Sequence, residues 1–491
     1  MDTSVIVAAV QKSADRYPEK AALVAGERQL NYSELMRRAQ SAASHIAEEA
    51  AGDNVGILLP NSLDFAPYFL GGLWAGKTVA VLPTLAPAPL LKFMSAEAKL
   101  AAVFTSSDLA SKLVEAGVPH VPIQTDYPTA ADFTLRSRDH QAAVLLYTSG
   151  TTGRPKTVAL SEDNVVSNIK GCCDATGFDT RHQVMLAVLP LFHAYGLTVT
   201  LLLPLICGST VVISERFAPR TVLNNIERHR VTCIVAVPSQ FRVLTMESTT
   251  CDGSSLWLCI AGAERLPDSV EREFTARFGR SLLPGYGATE LSPVVSLNVP
   301  ETNRPSSVGR PLPGLMVTIR RDDDGICPAG EVGEVCVAGP NVMLGYLNDV
   351  ESTTRKIRNG MLYTGDKGFL DADGYLYIVG RADDMVKVAG EKIYPIELEN
   401  AIERIDGVQE AAIIALPDAK RGMLLHAFVQ RTAGAQLDEN TLRASCREVL
   451  DPYKIPRTFT FVDSLPRTLT GKIDRRILAT LAAGPRVDRR S

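Results

Sequence analysis

At 491 residues with a formal net charge of −4, the chain is too long for one compact core and offers nucleic acid no dominant phosphate-neutralising face. Hydrophobic residues make up 46% and charged residues 22%, which is ordinary globular usage. Nine cysteines without CxxC or Cys/His spacing give no zinc signal and fit free thiols in a reducing compartment.

The N-terminus carries Asp2 and no basic-then-apolar leader pattern, so a cytoplasmic location is expected. Leu35, Ala39, Ala42 and Ile46 mark one face of a helix, and 55–59 follows as a buried strand ended by Pro60. Further apolar runs at 78–82, 101–104, 143–147 and 233–237 read as strands with helical stretches between them. Such alternation predicts parallel sheets flanked by helices. Residues 184–214 contain no Asp, Glu, Lys or Arg. Pro190, Gly196, Pro204 and Gly208 nevertheless break this stretch into pieces shorter than the ~20 residues that a membrane span needs. Strand, turn, helix, strand is the expected order there, and no integral membrane segment.

The texture changes after about residue 308. Short strands at 317–319, 334–337, 361–364 and 375–379 alternate with turns at 322–325 and 371–374, which reads as antiparallel β material. From about 381 a third texture begins, with a helix after Pro395, strands at 411–414 and 425–429, a helix from Glu439 and a strand at 458–462. The basic run 486–490 reads as a solvated tail. The expected fold class is α/β. A large N-terminal domain, 1–380, has parallel and mixed sheets plus a β-rich subdomain; a hinge spans 381–384; a small α+β domain covers 385–491.

The segment Thr148-Ser149-Gly150-Thr151-Thr152-Gly153-Arg154-Pro155-Lys156 follows an apolar strand. Its glycines would let backbone N–H groups approach a phosphate, its hydroxyls add donors, and Lys156 adds charge. A Walker A reading fails, because counting from Gly150 puts Pro155 where the second glycine must stand. A Ser/Thr/Gly-rich surface loop explains the composition equally well, so the segment alone decides nothing.

Other motifs follow in order: Pro190-Leu191-Phe192-His193, Gly285-Tyr286-Gly287-Ala288-Thr289-Glu290, Tyr363-Thr364-Gly365-Asp366, Gly380-Arg381, and Pro466 to Lys472 (PRTLTGK). With the first segment they resemble the adenylate-forming superfamily of acyl-CoA synthetases, peptide-synthetase adenylation domains and luciferases, over nearly the whole chain. Within it, 189–208 and 285–300 look most like fatty-acid-activating members, including the acyl-ACP synthetase part of bacterial 2-acylglycerophosphoethanolamine acyltransferases. Thr157 departs from the family, which usually has glycine there; its side chain is expected to stiffen the phosphate loop.

The resemblance implies two steps: a carboxylate attacks the α-phosphate of ATP to give acyl-AMP, then a thiol displaces AMP. It places Ser149, Gly150, Thr151, Thr152 and Gly153, flanked by Thr148 and Lys156, on the β- and γ-phosphates. It makes Glu290 the Mg²⁺ ligand and Thr289 a donor to the α-phosphate, and stacks Tyr286 on adenine within the Gly285 to Ala288 strand end. Asp366 would accept the ribose hydroxyls, and Arg381 would contact the same ribose or the phosphate. Lys472 would reach the α-phosphate and the substrate carboxylate, and Asp383 would be the hinge about which a mobile small domain turns. Lys387 and Gly390 would then line the thiol's approach, with His193 near the reacting carboxylate. Without the resemblance, Glu290 reads as a helix-start carboxylate, Asp366 as a turn residue, Lys472 as a surface lysine and His193 as a core histidine.

Amino-acid-activating relatives place an aspartate just after the histidine position, whereas this chain has Ala194-Tyr195-Gly196. A buried ammonium without a counter-ion is costly, so the substrate's far end should be apolar. Tyr195, Gly196, Ala261 and Gly262 are the candidate acid pocket, the small residues leaving room for a chain or ring. A fatty acid leads and an aryl acid follows. The thiol is CoA or the phosphopantetheine arm of a carrier protein, with the missing insertion of fatty-acyl-AMP ligases tilting towards CoA. A monomer or homodimer is expected.

Overall fold

The computed structural model describes residues 4–128, 142–148, 155–382, 385–388, 391–418, 422–432, 434–467 and 473–483. The first expected helix runs Tyr32–Glu49 and buries Leu35, Ala39, Ala42 and Ile46. Asn31 starts it by accepting the Glu34 N–H at 2.8 Å. It packs on the helix Phe65–Trp74 at a close crossing, where a Cβ on Gly71 would lie 2.9 Å from the Ala39 carbonyl.

Two large sheets carry the N-terminal part. One has nine strands in the order Arg310–Pro311, Val294–Leu297, Leu283–Gly287, Leu258–Ala261, Cys233–Ala236, Val184–Ala187, Thr210–Ile213, Ala21–Ala25, Arg28–Asn31. Its six central strands, from Leu283–Gly287 to Ala21–Ala25, are parallel, and its outer pairings are antiparallel. The other has seven strands, ordered Gly345–Tyr346, Lys156–Leu160, Val144–Thr148, Thr78–Val81, Asn54–Leu58, Val103–Thr105, His120–Pro122. Helices such as Glu162–Thr176, capped by Ser161 and Asn164, connect and cover them. The charge-free stretch holds the strand Val184–Ala187, the helical segment Tyr195–Ile206 and the strand Thr210–Ile213, matching the expected order. Among the described residues no helix is long and apolar enough to cross a membrane.

Two details differ from expectation. The segment 148–156 is not simply a loop after a strand: Lys156 opens the strand Lys156–Leu160, which pairs antiparallel with Val144–Thr148 so that Thr148 faces Lys156. The Thr157 side chain is fully buried and donates to the Glu97 carboxylate, on the last residue of the helix Ala88–Glu97. Likewise 363–366 is not a turn. The strand Met361–Leu370 runs straight through it, with Gly365 at φ +80 and a register shift just after Lys367, so the Thr-Gly-Asp sequence makes a kink within the ladder. That strand pairs with Gly333–Ala338, Ile357–Arg358 and Leu376–Arg381 in a five-stranded antiparallel sheet.

Beyond residue 385 come the hairpin Val386–Val388 with Glu391–Ile393, and a three-stranded sheet of Val408–Asp418, Gly422–Arg431 and Thr458–Val462. The helices Pro395–Glu403 and Glu439–Val449 close a separate core around Leu398, Ile402, Ile413, Leu442 and Cys446. Ion pairs join this unit to the larger one: Arg242 to Glu410 at 3.1 Å and Arg265 to Glu403 at 2.7 Å, with both carboxylates largely buried. Glu410 also accepts from Arg467 at 2.7 Å.

Candidate active site

The parallel strands Leu258–Ala261 and Leu283–Gly287 run side by side, with Ala261 facing Pro284, and their carboxyl ends deliver Ala261, Gly262 and the Gly285 to Ala288 segment to one edge. Gly287 allows a tight return, since a Cβ there would lie 2.1 Å from the Pro293 carbonyl. Thr289 and Glu290 follow in one 3₁₀ turn, Thr289–Leu291.

Across from this edge stands the antiparallel sheet. The Tyr286 hydroxyl donates to Asp366 Oδ2 at 2.5 Å, and Arg381 Nε lies 3.8 Å from Asp366 Oδ1. Burial raises the Asp366 carboxyl above the usual carboxylate range, while the Tyr286 hydrogen bond and the Arg381 and Lys356 charges pull it back. Tyr286 itself is raised, first by burial and then by the Asp366 charge. Tyr286, Asp366 and Arg381, far apart in sequence, are thus brought together.

Glu290 Oε1 accepts the Tyr346 hydroxyl at 2.8 Å. The Tyr346 ring in turn lies under Lys156 Nζ, 4.6 Å from its centroid. Lys156 also donates to Ser352 Oγ at 2.6 Å and sits 3.9 Å from Asp349. Sequence reasoning missed Tyr346, Ser352 and Asp349. It also missed Lys356, whose Nζ donates to the Tyr363 and Thr364 carbonyls at 3.1 and 2.9 Å. The helix Val350–Lys356 carries two of these contacts, from Ser352 to Lys156 and from Lys356 to the Thr-Gly-Asp kink. A hydroxyl and a cation four residues apart on a short helix just before the kink was the available signal.

For a metal, the described residues contain no cluster of three or more His, Cys, Asp or Glu side chains. Glu290 offers a single carboxylate with one oxygen already oriented by Tyr346. That donor set suits Mg²⁺, which keeps several waters and binds through one or two carboxylates plus phosphate oxygens.

His193 lies half-buried, its ring 4.6 Å from that of Phe192, and it accepts the Leu197 N–H at 2.8 Å through its own carbonyl. The segment Tyr195–Leu202 continues as a π-helix, with the Leu203 N–H reaching back to the Thr198 carbonyl. Its residues after Tyr195 are buried. Protein atoms already stand where a side chain at either of the two glycines would start. A Cβ on Gly196 would lie 2.1 Å from the Pro190 carbonyl oxygen, and one on Gly262 would lie 2.7 Å from Tyr195 Cε1 and Oη. The glycines therefore accommodate a backbone crossing and the Tyr195 ring.

Ser149, Gly150, Thr151, Thr152, Gly153, Asp383, Gly390 and Lys472 lie outside the described residues. Lys387 is described only as the middle of the strand Val386–Val388, opposite Lys392.

A phenol, a carboxylate and a guanidinium from two different sheets thus meet at one place. The chain matches the AMP-binding enzyme family over residues 10–347 and the AMP-binding enzyme C-terminal domain over 397–472, and it belongs to that family. It is similar to a long-chain-fatty-acid–CoA ligase of Bacillus subtilis, with 31% identity over 95% of this chain and 92% of the relative. An oxalate–CoA ligase of Arabidopsis thaliana is 30% identical over 98% of this chain and 99% of its own. Among solved structures, ATP-bound MatB from Rhodopseudomonas palustris superposes with a TM-score of 0.90 at 28% identity, covering 98% of this chain and 99% of that one. Like its relatives, the protein is an AMP-forming acid–thiol ligase with a large sheet domain, a β-rich subdomain and a small C-terminal domain.

Proposed function

We propose that the acid is apolar, a fatty acid first, and that the acyl group passes from AMP to CoA. The observation that carries the acid class is the wall 184–207, which contains no Asp, Glu, Lys or Arg and is largely buried through 196–205. His193 is the one side chain in it that could carry a positive charge to meet a second carboxylate. The relative named for long-chain fatty acids supports this order of preference; the one named for oxalate shows how widely acids vary at similar identity. A compact or aryl acid is the second reading, favoured by the Tyr195 ring lying over Gly262.

In this reading the substrate carboxylate attacks the α-phosphorus and the bond to pyrophosphate breaks. Lys472 neutralises charge at that centre and Thr289 donates to the α-phosphate. Residues 149–153, with Thr148 and Lys156 at their base, hold the leaving pyrophosphate. Glu290 would hold Mg²⁺, which would supply positive charge at the phosphates. Tyr286 stacks on adenine while Asp366 and Arg381 hold the ribose. The small domain, joined through 381–384, then turns about Asp383, withdrawing Lys472 and presenting Lys387 and Gly390 to the thiol, with His193 at its entrance.

The small domain offers a reason to favour CoA over a carrier protein. A cavity of about 1060 Å³ there is lined by Val388 of the hairpin, apolar Leu425, Leu450 and Ile455, and by Arg443, Arg447 and Arg457. Arg443 is engaged by Glu439, whereas Arg447 and Arg457 form no ion pair among the described residues. Guanidiniums over an apolar floor suit the phosphates and base of a nucleotide.

The decisive experiment measures pyrophosphate release over a panel of acids, with and without CoA. Release with medium or long fatty acids, and thioester only when CoA is added, is expected; no release with any acid would overturn the reading. In Lys472→Ala, adenylate formation should fall by about 10²-fold or more while supplied acyl-AMP is still converted to thioester. Replacing CoA by pantetheine should raise the thiol KM at least tenfold, and Arg447→Ala with Arg457→Ala should erase that difference.

A further inference from the structure

We infer that Lys356 is a positioning residue for the nucleotide's ribose, acting through Asp366. An ammonium has three N–H donors. Lys356 spends two on successive carbonyls, those of Tyr363 and Thr364, immediately before the kink that presents Asp366. No carboxylate receives either bond.

The kink needs such a clamp. Gly365 adopts φ +80 in the middle of a ten-residue strand, and its outward side is open to two cations: a Cβ there would lie 3.2 Å from Lys356 Nζ and 3.5 Å from an Arg381 guanidinium nitrogen. Three further bonds define the same corner. The Gly365 N–H goes to Glu334 at 3.0 Å, the Asp366 N–H to the Thr364 hydroxyl at 3.0 Å, and that hydroxyl to the Val335 carbonyl at 2.8 Å. Lys356 holds the two carbonyls while these bonds hold the N–H side, so the direction of the Asp366 carboxylate is set from both sides.

Position reinforces the argument. Lys356 is the last residue of the helix Val350–Lys356, where the helix dipole favours a cation. Glu290, Glu334 and Asp366 surround it, with Arg381 as the other cation, and burial lowers its ammonium from the ordinary lysine value. A buried ammonium that could have paired with a carboxylate instead holds two backbone carbonyls, which is the contact a clamp requires. The same charge favours ionised Asp366, the form that accepts from ribose hydroxyls.

The inference depends on Asp366 meeting the ribose, but it can be tested without knowing the acid. Binding of AMP and of 3′-deoxy-AMP is measured by calorimetry for the full-length wild type, Lys356→Met and Lys356→Arg. The wild type should bind AMP about tenfold more tightly than the deoxy analogue. Lys356→Met should weaken AMP by about tenfold and leave 3′-deoxy-AMP within about twofold, collapsing the discrimination, and Lys356→Arg should recover most of it. Equal loss for both nucleotides, or none for either, would overturn the inference. A wild type that fails to distinguish the two nucleotides would instead remove Asp366 from the ribose. Should Lys356→Met not fold, Lys356→Gln carries the same comparison. An absence of pyrophosphate release with every acid would sink the proposed function and leave this result readable.

Discussion

Tyr286 and Asp366 are eighty positions apart and share a hydrogen bond of 2.5 Å between the phenol and Oδ2. The phenol comes from the carboxyl end of an inner strand of the nine-stranded sheet and the carboxylate from the five-stranded one, so this bond joins the two sheets. It also tunes the carboxylate, because burial raises Asp366 and the phenol opposes that rise.

In its proposed role Asp366 must be ionised to accept two ribose hydroxyls. Its proton affinity in the fold is above that of an exposed aspartate, so nucleotide affinity should fall as pH drops through a point higher than the usual carboxylate range. Tyr286→Phe removes a contribution that lowers this point. Its acid limb should therefore lie at higher pH than the wild type's, measured as AMP affinity between pH 4.5 and 8. A limb that moved down, or stayed put, would contradict the assignment.

Tyr346→Phe keeps the ring under Lys156 and deletes only the hydroxyl that orients Glu290. The expected outcome is an increase of about tenfold or more in the Mg²⁺ concentration for half-maximal activity, on the order of the 1.5–3 kcal/mol carried by hydrogen bonds to charged groups. The KM for the acid should not change. Titrating Mg²⁺ at saturating acid and ATP measures it.

Tyr195 fills the space above Gly262, so in the proposed acid pocket it is the side chain whose loss would make room. Tyr195→Ala should shift the best acid in a homologous fatty-acid series to longer chains, read as kcat/KM for each length. Gly262→Ala should cost activity with every acid unless the tyrosine is also removed, so the double variant should recover what the single one loses.

Thr157→Val deletes a hydrogen-bond donor to the Glu97 side chain, whose carboxyl is raised by burial. Urea unfolding at pH 7 should show a loss of about 1–3 kcal/mol. The loss should shrink towards pH 5, because protonation relieves the unpartnered charge: a raised folded pKa favours the fold at low pH and opposes it as pH rises. Equal destabilisation at both pH values would assign the effect to packing instead.

The large elements were legible because their signals are local. The face Leu35, Ala39, Ala42 and Ile46 is a helical stripe, and the uncharged stretch 184–214 breaks at its prolines and glycines where the structure turns. Single residues facing a partner from another sheet were not legible. Lys156 read as part of a loop because its strand is defined by pairing with Val144–Thr148, and Asp366 read as a turn residue because a strand continuing through a left-handed glycine has no local signature. The neighbour of Gly262 was hidden for a related reason: a glycine tells that something comes close, and only the fold tells that it is Tyr195. Tyr346 and Lys356 carry no motif of their own; their meaning comes from where the helix Val350–Lys356 is set down.

The π-helix Tyr195–Leu202 has a bearing on how such an enzyme could change its diet. A wide turn of this kind amounts to one extra residue threaded into an ordinary helix. Removing a single residue within it would let the coil tighten, rotating every side chain on one flank of the wall by about 100° while the strands on either side stay anchored in their sheet. Where that wall meets the acid, as proposed above, new acids would be reachable by a one-codon deletion that re-aims several side chains together, a larger step in chemistry than any one substitution at Tyr195 could take.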